Sequence, residues 1–229
     1  MAKRLILCIL DGWGIAPAGP GNAITLAHPE TYNHLIENYP NTSLEASGIG
    51  VGLPANQDGN TETGHLNIGA GRIVYQDLAR INMSIADGSF FINQTLLDTI
   101  AHVKNHRASL HLLGLIGASG VHAFNEHLYA LVMLASIQKV QNLYLHLFTD
   151  GRDSPQTDAL NQIEKVKENL ARYKVGQIAS LSGRYYSMDR DQRLDRTKLA
   201  FDCIVKASGE NYPDSQSAVS KSYQQNLTD

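Results

Sequence analysis

Three observations predict an α/β protein built on a parallel sheet. From about residue 109 onward, short apolar runs alternate with stretches of helical length, the order that produces strand–helix–strand crossovers. Each of these runs is followed by a cluster of glycine and charged or imidazole side chains, and open α/β sheets collect their ligands beyond the carboxyl ends of their strands. Near the N-terminus, Leu5-Ile6-Leu7-Cys8-Ile9-Leu10 is continuously apolar, as expected of a parallel strand buried on both faces.

After this first strand, residues 28–39 form a helix that Pro40 stops, because the residue ahead of a proline is pushed out of the helical region. Residues 42–46 are expected to be a second strand, and a glycine-rich loop then runs to Thr61. Helices are predicted at 77–86 and 93–105, separated by the turn Asp87-Gly88-Ser89. Strands are expected at 109–116, 142–148 and 175–181, each ahead of a helix at 125–139, 157–173 and 193–207, with a last helix at 214–225. The change near residues 74–78 from glycine-rich loop to ordinary helical sequence places a domain boundary there, dividing 1–75 from 76–229.

The chain has 229 residues, 43% of them hydrophobic, and a formal net charge of −3, which gives no general attraction to nucleic acid or anionic membranes. Its two cysteines, Cys8 and Cys203, lie in apolar segments and are expected to be reduced core thiols of a cytoplasmic protein. The basic pair Lys3-Arg4 precedes an apolar run that stops at Asp11, too early for a signal peptide, and no segment is long enough to span a bilayer.

Chemistry concentrates first in Gly59-Asn60-Thr61-Glu62-Thr63-Gly64-His65. A hydroxyl is placed where a helix can begin, flanked by glycines that permit close backbone approach, and a helix N-terminus offers free N–H groups and a positive dipole end to an anion. Thr61 by itself reads more simply as a capping residue. The second element is Asp11 in Leu10-Asp11-Gly12-Trp13-Gly14, at the end of the first apolar run. It is a hard-oxygen ligand for Mn²⁺ or Mg²⁺, or, read in isolation, a turn aspartate ahead of glycine. Together Asp11 and Thr61 suggest a metal-assisted phosphoryl site.

The three later strands end in Gly117-Ala118-Ser119-Gly120-Val121-His122, in Asp150-Gly151-Arg152-Asp153-Ser154 and in Gly183-Arg184-Tyr185-Tyr186-Ser187-Met188-Asp189-Arg190. His122, Arg152, Arg184 and Arg190 are suited to surround one small anion, since the guanidinium fork matches carboxylate and phosphate. Asp153 is suited to hold a substrate hydroxyl or to orient an arginine. Any one of these arginines, taken alone, is better explained by a surface ion pair, for which Asp189, Asp191 and Asp195 offer partners. His127 reads as structural, His65 as a brace for the Thr61 loop, and His102, His106, His111 and His146 receive no role.

In this order and spacing the motifs resemble the cofactor-independent (2,3-bisphosphoglycerate-independent) phosphoglycerate mutases of the alkaline phosphatase superfamily, over essentially the whole chain. The resemblance implies interconversion of 3- and 2-phosphoglycerate in glycolysis and gluconeogenesis, with two Mn²⁺ (or Mg²⁺) ions and no 2,3-bisphosphoglycerate. It implies that Asp11 is a metal ligand, and that Thr61 stands at the metal-bound nucleophile and is phosphorylated in turn. His122, Arg152, Asp153, Arg184 and Arg190 match residues that hold the substrate. The implied fold is a phosphatase-like domain assembled from both ends of the chain, with residues 1–75 its N-terminal segment, and an inserted α/β transferase domain to which 76–229 belong. A cytoplasmic monomer is implied at full length, with a small-molecule substrate and no nucleic-acid or membrane partner.

The sequence departs from the family pattern in four ways. Threonine replaces the family's serine at position 61, adding a methyl that restricts the side chain. Gly117-Ala118-Ser119-Gly120 replaces a usually acidic stretch, and Phe124 stands where a second histidine is usual. The chain ends at Asp229, inside the expected transferase domain, without the further arginine pair, the lysine and the C-terminal aspartates and histidines of the family. A truncated piece, inactive alone, is therefore expected. The alternatives are a non-catalytic module that binds phosphoglycerate or glycerate, and another metal-dependent phosphatase or phosphotransferase of the superfamily.

Overall fold

In the computed structural model, residues 4–55 and 57–229 are described; Lys3 of the N-terminal basic pair and Asn56 of the glycine-rich loop lie outside them. The chain divides into two compact units, residues 1–80 and 81–229.

The first unit contains the short helices α1 (Ala23–Leu26) and α2 (Glu30–Asn38), a 3-10 turn at Gly48–Val51, α3 (Thr61–Ala70) and the beginning of α4 (Asp77–Ala86). No strand forms in it among the described residues. The expected strands at 5–10 and 42–46 are therefore corrected. Leu5, Ile6 and Leu7 are 94%, 89% and 71% exposed, and Leu44 is 87% exposed. The physical reason is that a strand exists only within a ladder: its N–H and C=O groups need a neighbouring chain, and none among the described residues pairs with these segments. Cys8 is exposed for the same reason, against the expectation of a core thiol, while Cys203 is partly buried.

Order in this unit comes instead from polar ties around the 3-10 turn. Gln76 N donates to Gly52 O at 2.8 Å, and the Asn67 amide bridges Val51 O and Val74 N at 2.9 and 2.8 Å. Gly52 has φ 85° and lies so near Val74 that an added Cβ would stand 2.3 Å from its carbonyl oxygen, so glycine is required there.

The second unit is the predicted α/β body. The remainder of α4 is followed by a 3-10 turn at Ser89–Ile92 and α5 (Gln94–Asn105). Then come β1 (Leu110–Ile116), α6 (Asn125–Ile137), β2 (Leu143–Thr149), α7 (Ala159–Tyr173), β3 (Gln177–Gly183), α8 (Arg184–Ser187), α9 (Leu194–Lys206) and α10 (Ser215–Gln224). The strands pair in parallel in the order β1-β2-β3. Central β2 turns Leu143, Leu145 and Leu147, each at most 2% exposed, into a core with Val132, Leu134 and Ala135 of α6 and Ile163 and Val166 of α7. At about 25 cal/mol per Å² of apolar surface removed from water, this cluster is the main stabiliser of the unit. The elements expected from the sequence in this unit are found within a few residues of their expected limits.

Register matters most for the site. Ile116 pairs with Thr149 and Thr149 with Gly183, so the last residues of all three strands line up at one edge of the sheet. The loops carrying His122, Arg152 and Asp153, and Arg184 and Arg190 leave from that one edge.

Candidate active site

Each unit holds one group of the residues singled out in the sequence. In the first unit, Gly12 (φ 73°) turns the chain directly after Asp11, and Trp13 packs against Tyr32 of α2 with ring centroids 5.3 Å apart. Thr61 opens α3, but it does not cap it. The Asn60 side chain takes that role, accepting from Thr63 N at 2.8 Å, which corrects the reading of Thr61 as a capping residue. The Thr61 hydroxyl is left for another partner and donates to Asp11 Oδ2 at 2.7 Å, across 50 residues of sequence. His65 Nδ1 lies 2.8 Å from Thr61 O, the bracing contact expected of it. Gly59 serves the chain's own backbone: a Cβ there would stand 1.8 Å from Ala46 O.

The chemistry of the Asp11–Thr61 pair is that of hard oxygens, as Mn²⁺ or Mg²⁺ prefers, but two donors do not satisfy a divalent ion. Among the described residues no group of three or more histidine, cysteine, aspartate or glutamate side chains is arranged to hold a metal. The donor set of this chain is thus of the right kind and too small by itself.

In the second unit the sheet edge brings together His122, Asp153 and Arg184. Asp153 Oδ2 accepts from Arg184 at 2.6 Å and lies 3.6 Å from His122 Nε2. Arg184 also donates to Asp150, which is 3% exposed. Asp150 was missed as a functional candidate. It organises the loop: Oδ1 accepts from Arg152 N and Asp153 N at 3.4 and 3.2 Å, and Oδ2 from the Ser154 hydroxyl at 2.9 Å. Ser154 Oγ in turn accepts from Ala118 N at 2.9 Å, tying this loop to the one after β1. Gly117 makes that closeness possible, since a Cβ there would stand 2.7 Å from Ser154 Oγ. The sequence did carry a signal for Asp150, an aspartate directly before glycine at a strand end, the composition of a turn whose side chain binds the backbone ahead of it.

Burial alone would raise the Asp150 carboxyl, but the donations from Arg184, Asp153 N, Ser154 and Arg152 N outweigh it and hold the group below its ordinary value. Arg184 is shifted up by its bond to Asp153. Its Nη1 is engaged by both carboxylates, whereas Arg152 and Arg190 are exposed and make no ion pair among the described residues. Asp189, the expected partner of a neighbouring arginine, accepts from Arg193 N at 2.8 Å and lies 3.8 Å from Arg196.

His127 is structural as expected, its Nε2 2.8 Å from Asn82 Oδ1. His111 and His146, given no role from sequence, form a polar row across the sheet: His111 Nδ1 to His146 Nε2 at 2.9 Å, and His146 Nδ1 to Ser180 Oγ at 2.8 Å. Burial, with His111 adding to it, lowers the pKa of His146.

Comparison with known proteins follows the same division. The family described as "BPG-independent PGAM N-terminus" matches residues 81–229. A 2,3-bisphosphoglycerate-independent phosphoglycerate mutase of Chloroflexus aurantiacus is 50% identical over 99% of this chain and 42% of its own length. Those of Clostridium beijerinckii and Staphylococcus aureus are 49% and 47% identical, over 99% and 100% of this chain and 44% and 46% of theirs. The chain thus spans somewhat under half the length of these curated relatives. A crystal structure of Leishmania mexicana phosphoglycerate mutase at low cobalt concentration superposes with a TM-score of 0.70 at 25% identity, covering 87% of this chain and 38% of that one. A parallel sheet whose strands end together, polar loops along that edge and a family match over the whole second unit lead to one assignment: the chain belongs to the BPG-independent phosphoglycerate mutase N-terminus family.

Proposed function

We propose that this chain is the N-terminal part of a phosphoglycerate mutase that interconverts 3- and 2-phosphoglycerate, an isomerase of glycolysis and gluconeogenesis acting in the cytoplasm. The observation that carries the proposal is the match of nearly the entire chain to relatives bearing that name. Residues 1–75 would belong to the domain of the nucleophile, and 76–229 to the domain that holds the substrate.

In this reading Thr61 is the nucleophile. Its oxygen forms a bond to the phosphorus of 3-phosphoglycerate as the bond to the substrate oxygen breaks, and the hydroxyl proton, passed through Asp11, ends on the departing oxygen, giving a phosphothreonine and glycerate. The hydrogen bond to Asp11 supports that role, because it fixes the hydroxyl hydrogen on the carboxylate side and leaves the oxygen lone pairs free to attack. Arg152 and Arg190 bind the glycerate carboxylate as guanidinium forks, and Asp153, oriented by Arg184, accepts from a glycerate hydroxyl beside His122. Glycerate then reorients and takes the phosphoryl group back on its other hydroxyl. Holding it while water is excluded separates a mutase from a phosphatase. Asp11 and Thr61 would be two of the oxygen donors to the divalent ions; bound Mn²⁺ or Mg²⁺ would supply charge neutralisation at the phosphate. No 2,3-bisphosphoglycerate takes part, and at the relatives' full length the protein would act as a monomer.

The test is made in an enzyme of the relatives' length that begins with this sequence. Thr61→Ala abolishes phosphoenzyme formation and turnover; intact turnover refutes the nucleophile. Release of inorganic phosphate in place of isomerised product would identify a phosphatase of the same superfamily. A second reading is favoured by the short donor set: the 229-residue chain by itself binds phosphoglycerate or glycerate without turning it over. Calorimetry with and without Mn²⁺ distinguishes the two, since the module binds independently of metal.

A further inference from the structure

We infer that Asp229, held by Tyr223, is a positioning residue for the Arg152–Asp153 loop, an inference that rests on reading this loop as the glycerate-holding site. The carboxylate of Asp229 is satisfied on both oxygens. Oδ2 accepts from Asp158 N at 3.0 Å and Ala159 N at 2.8 Å, at the N-terminus of α7, which Asp158 does not cap with its own side chain. Oδ1 accepts from the Tyr223 hydroxyl of α10, which itself receives Ala159 N at 3.1 Å. The Asp229 main chain donates to Gln156 O at 3.0 Å. One residue thereby ties α10 and the start of α7 together.

The same residue also covers the carboxyl ends of β2 and β3. A Cβ on Gly151 would stand 2.8 Å from Asp229 O and 2.9 Å from Asp229 Cβ, and one on Gly183 would stand 3.7 Å from the Asp229 carbonyl carbon. Gly151 (φ 57°) comes directly before Arg152 and Asp153, and Gly183 directly before Arg184. Asp229 is packed onto the two glycines that precede Arg152 and Arg184. This contact limits how far the loops can move, while Asp150 arranges the hydrogen bonds inside one of them. Burial raises the pKa of the Tyr223 hydroxyl, and its bond to Asp229 raises it further, so it stays protonated and donating throughout the neutral range. Arginine forks grip a small anion only when their backbone is fixed, because displacement by about 1 Å forfeits most of the orientation.

The whole chain is tested as wild type, Asp229→Ala, Asp229→Asn and Tyr223→Phe, with residue-resolved amide exchange by NMR and calorimetry against 3-phosphoglycerate. In Asp229→Ala, exchange of the Arg152 and Asp153 amides should rise about tenfold and 3-phosphoglycerate affinity should fall about tenfold. Asp229→Asn should recover most of both, because its amide oxygen still accepts from Asp158 and Ala159. Tyr223→Phe, the milder change, gives the same pattern at smaller amplitude and decides the matter should Asp229→Ala not fold. If exchange rises at Asp158 and Ala159 alone, with Arg152, Asp153 and affinity unchanged, Asp229 is only a helix cap and the inference is overturned. If the wild-type chain does not bind 3-phosphoglycerate, the reading of this chain as a binding module by itself fails, and the Arg152 and Asp153 exchange rates alone confirm or overturn the clamp.

Discussion

Two apolar runs of this chain look alike as sequences and behave as opposites. Leu143–Thr149 forms the centre of the sheet, with Leu145 fully buried, whereas Leu5–Leu10 forms no strand and leaves Leu5 94% exposed. The difference is one of neighbours. The run in the second unit meets Leu110–Ile116 and Gln177–Gly183, each reached through a single crossover helix, and apolar side chains of all three join one core cluster. The run in the first unit meets no partner among the described residues, so the hydrophobicity that would bury it lies open. Apolar composition gives a segment the capacity to be a strand; a hydrogen-bonded neighbour makes it one.

The widest test of this contrast is truncation in both runs. Leu145→Ala should cost about 2–5 kcal/mol of unfolding free energy, while Leu7→Ala should stay within about 0.5 kcal/mol, both read from urea transitions. A comparable loss at Leu7 would show that the first run is buried in solution and break the comparison.

The next effect belongs to the sheet edge. Asp150→Asn removes a charge-assisted acceptor from Arg184 and should cost about 1.5–3 kcal/mol. Its pH signature has a definite sign. The native carboxyl is held below its ordinary value of 3.8, so its contribution is complete above that pH and is lost as pH falls through the native value. Urea midpoints followed downward from pH 6 should therefore fall less steeply in the asparagine variant; an identical slope would mean that Asp150 is not ionised in the native protein.

Smaller effects separate chemistry from capping in the first unit. Asn60→Ala should cost about 1 kcal/mol, as loss of an N-cap does, and fray α3 by amide exchange. Thr61→Val should leave that stability within about 0.5 kcal/mol. If the valine variant destabilised α3 as much as Asn60→Ala, Thr61 would be a structural residue after all.

The second unit was legible in the sequence because its signals are local: length, periodicity and the glycine at or near the end of each strand. The polar clusters after the strands were equally visible, and a parallel sheet with its strand ends in register explains why His122, Asp153 and Arg184 meet. Asp150 was harder to single out, because a buried carboxylate that organises a loop is spelled the same way as a solvated turn aspartate. Tyr223 and Asp229 gave no signal, since their partners Asp158 and Ala159 lie at least 64 residues away in sequence.

The sequence alone determined which segments can be helices or strands, where glycine must stand, and which oxygen- and nitrogen-bearing side chains could act on a phosphate. The tertiary structure decided which apolar runs are buried, that Asn60 and not Thr61 caps α3, and which arginine is already held by carboxylates. The reason is physical: propensity and capping act within a few residues, whereas burial, strand pairing and charge satisfaction depend on partners that only the folded chain brings near.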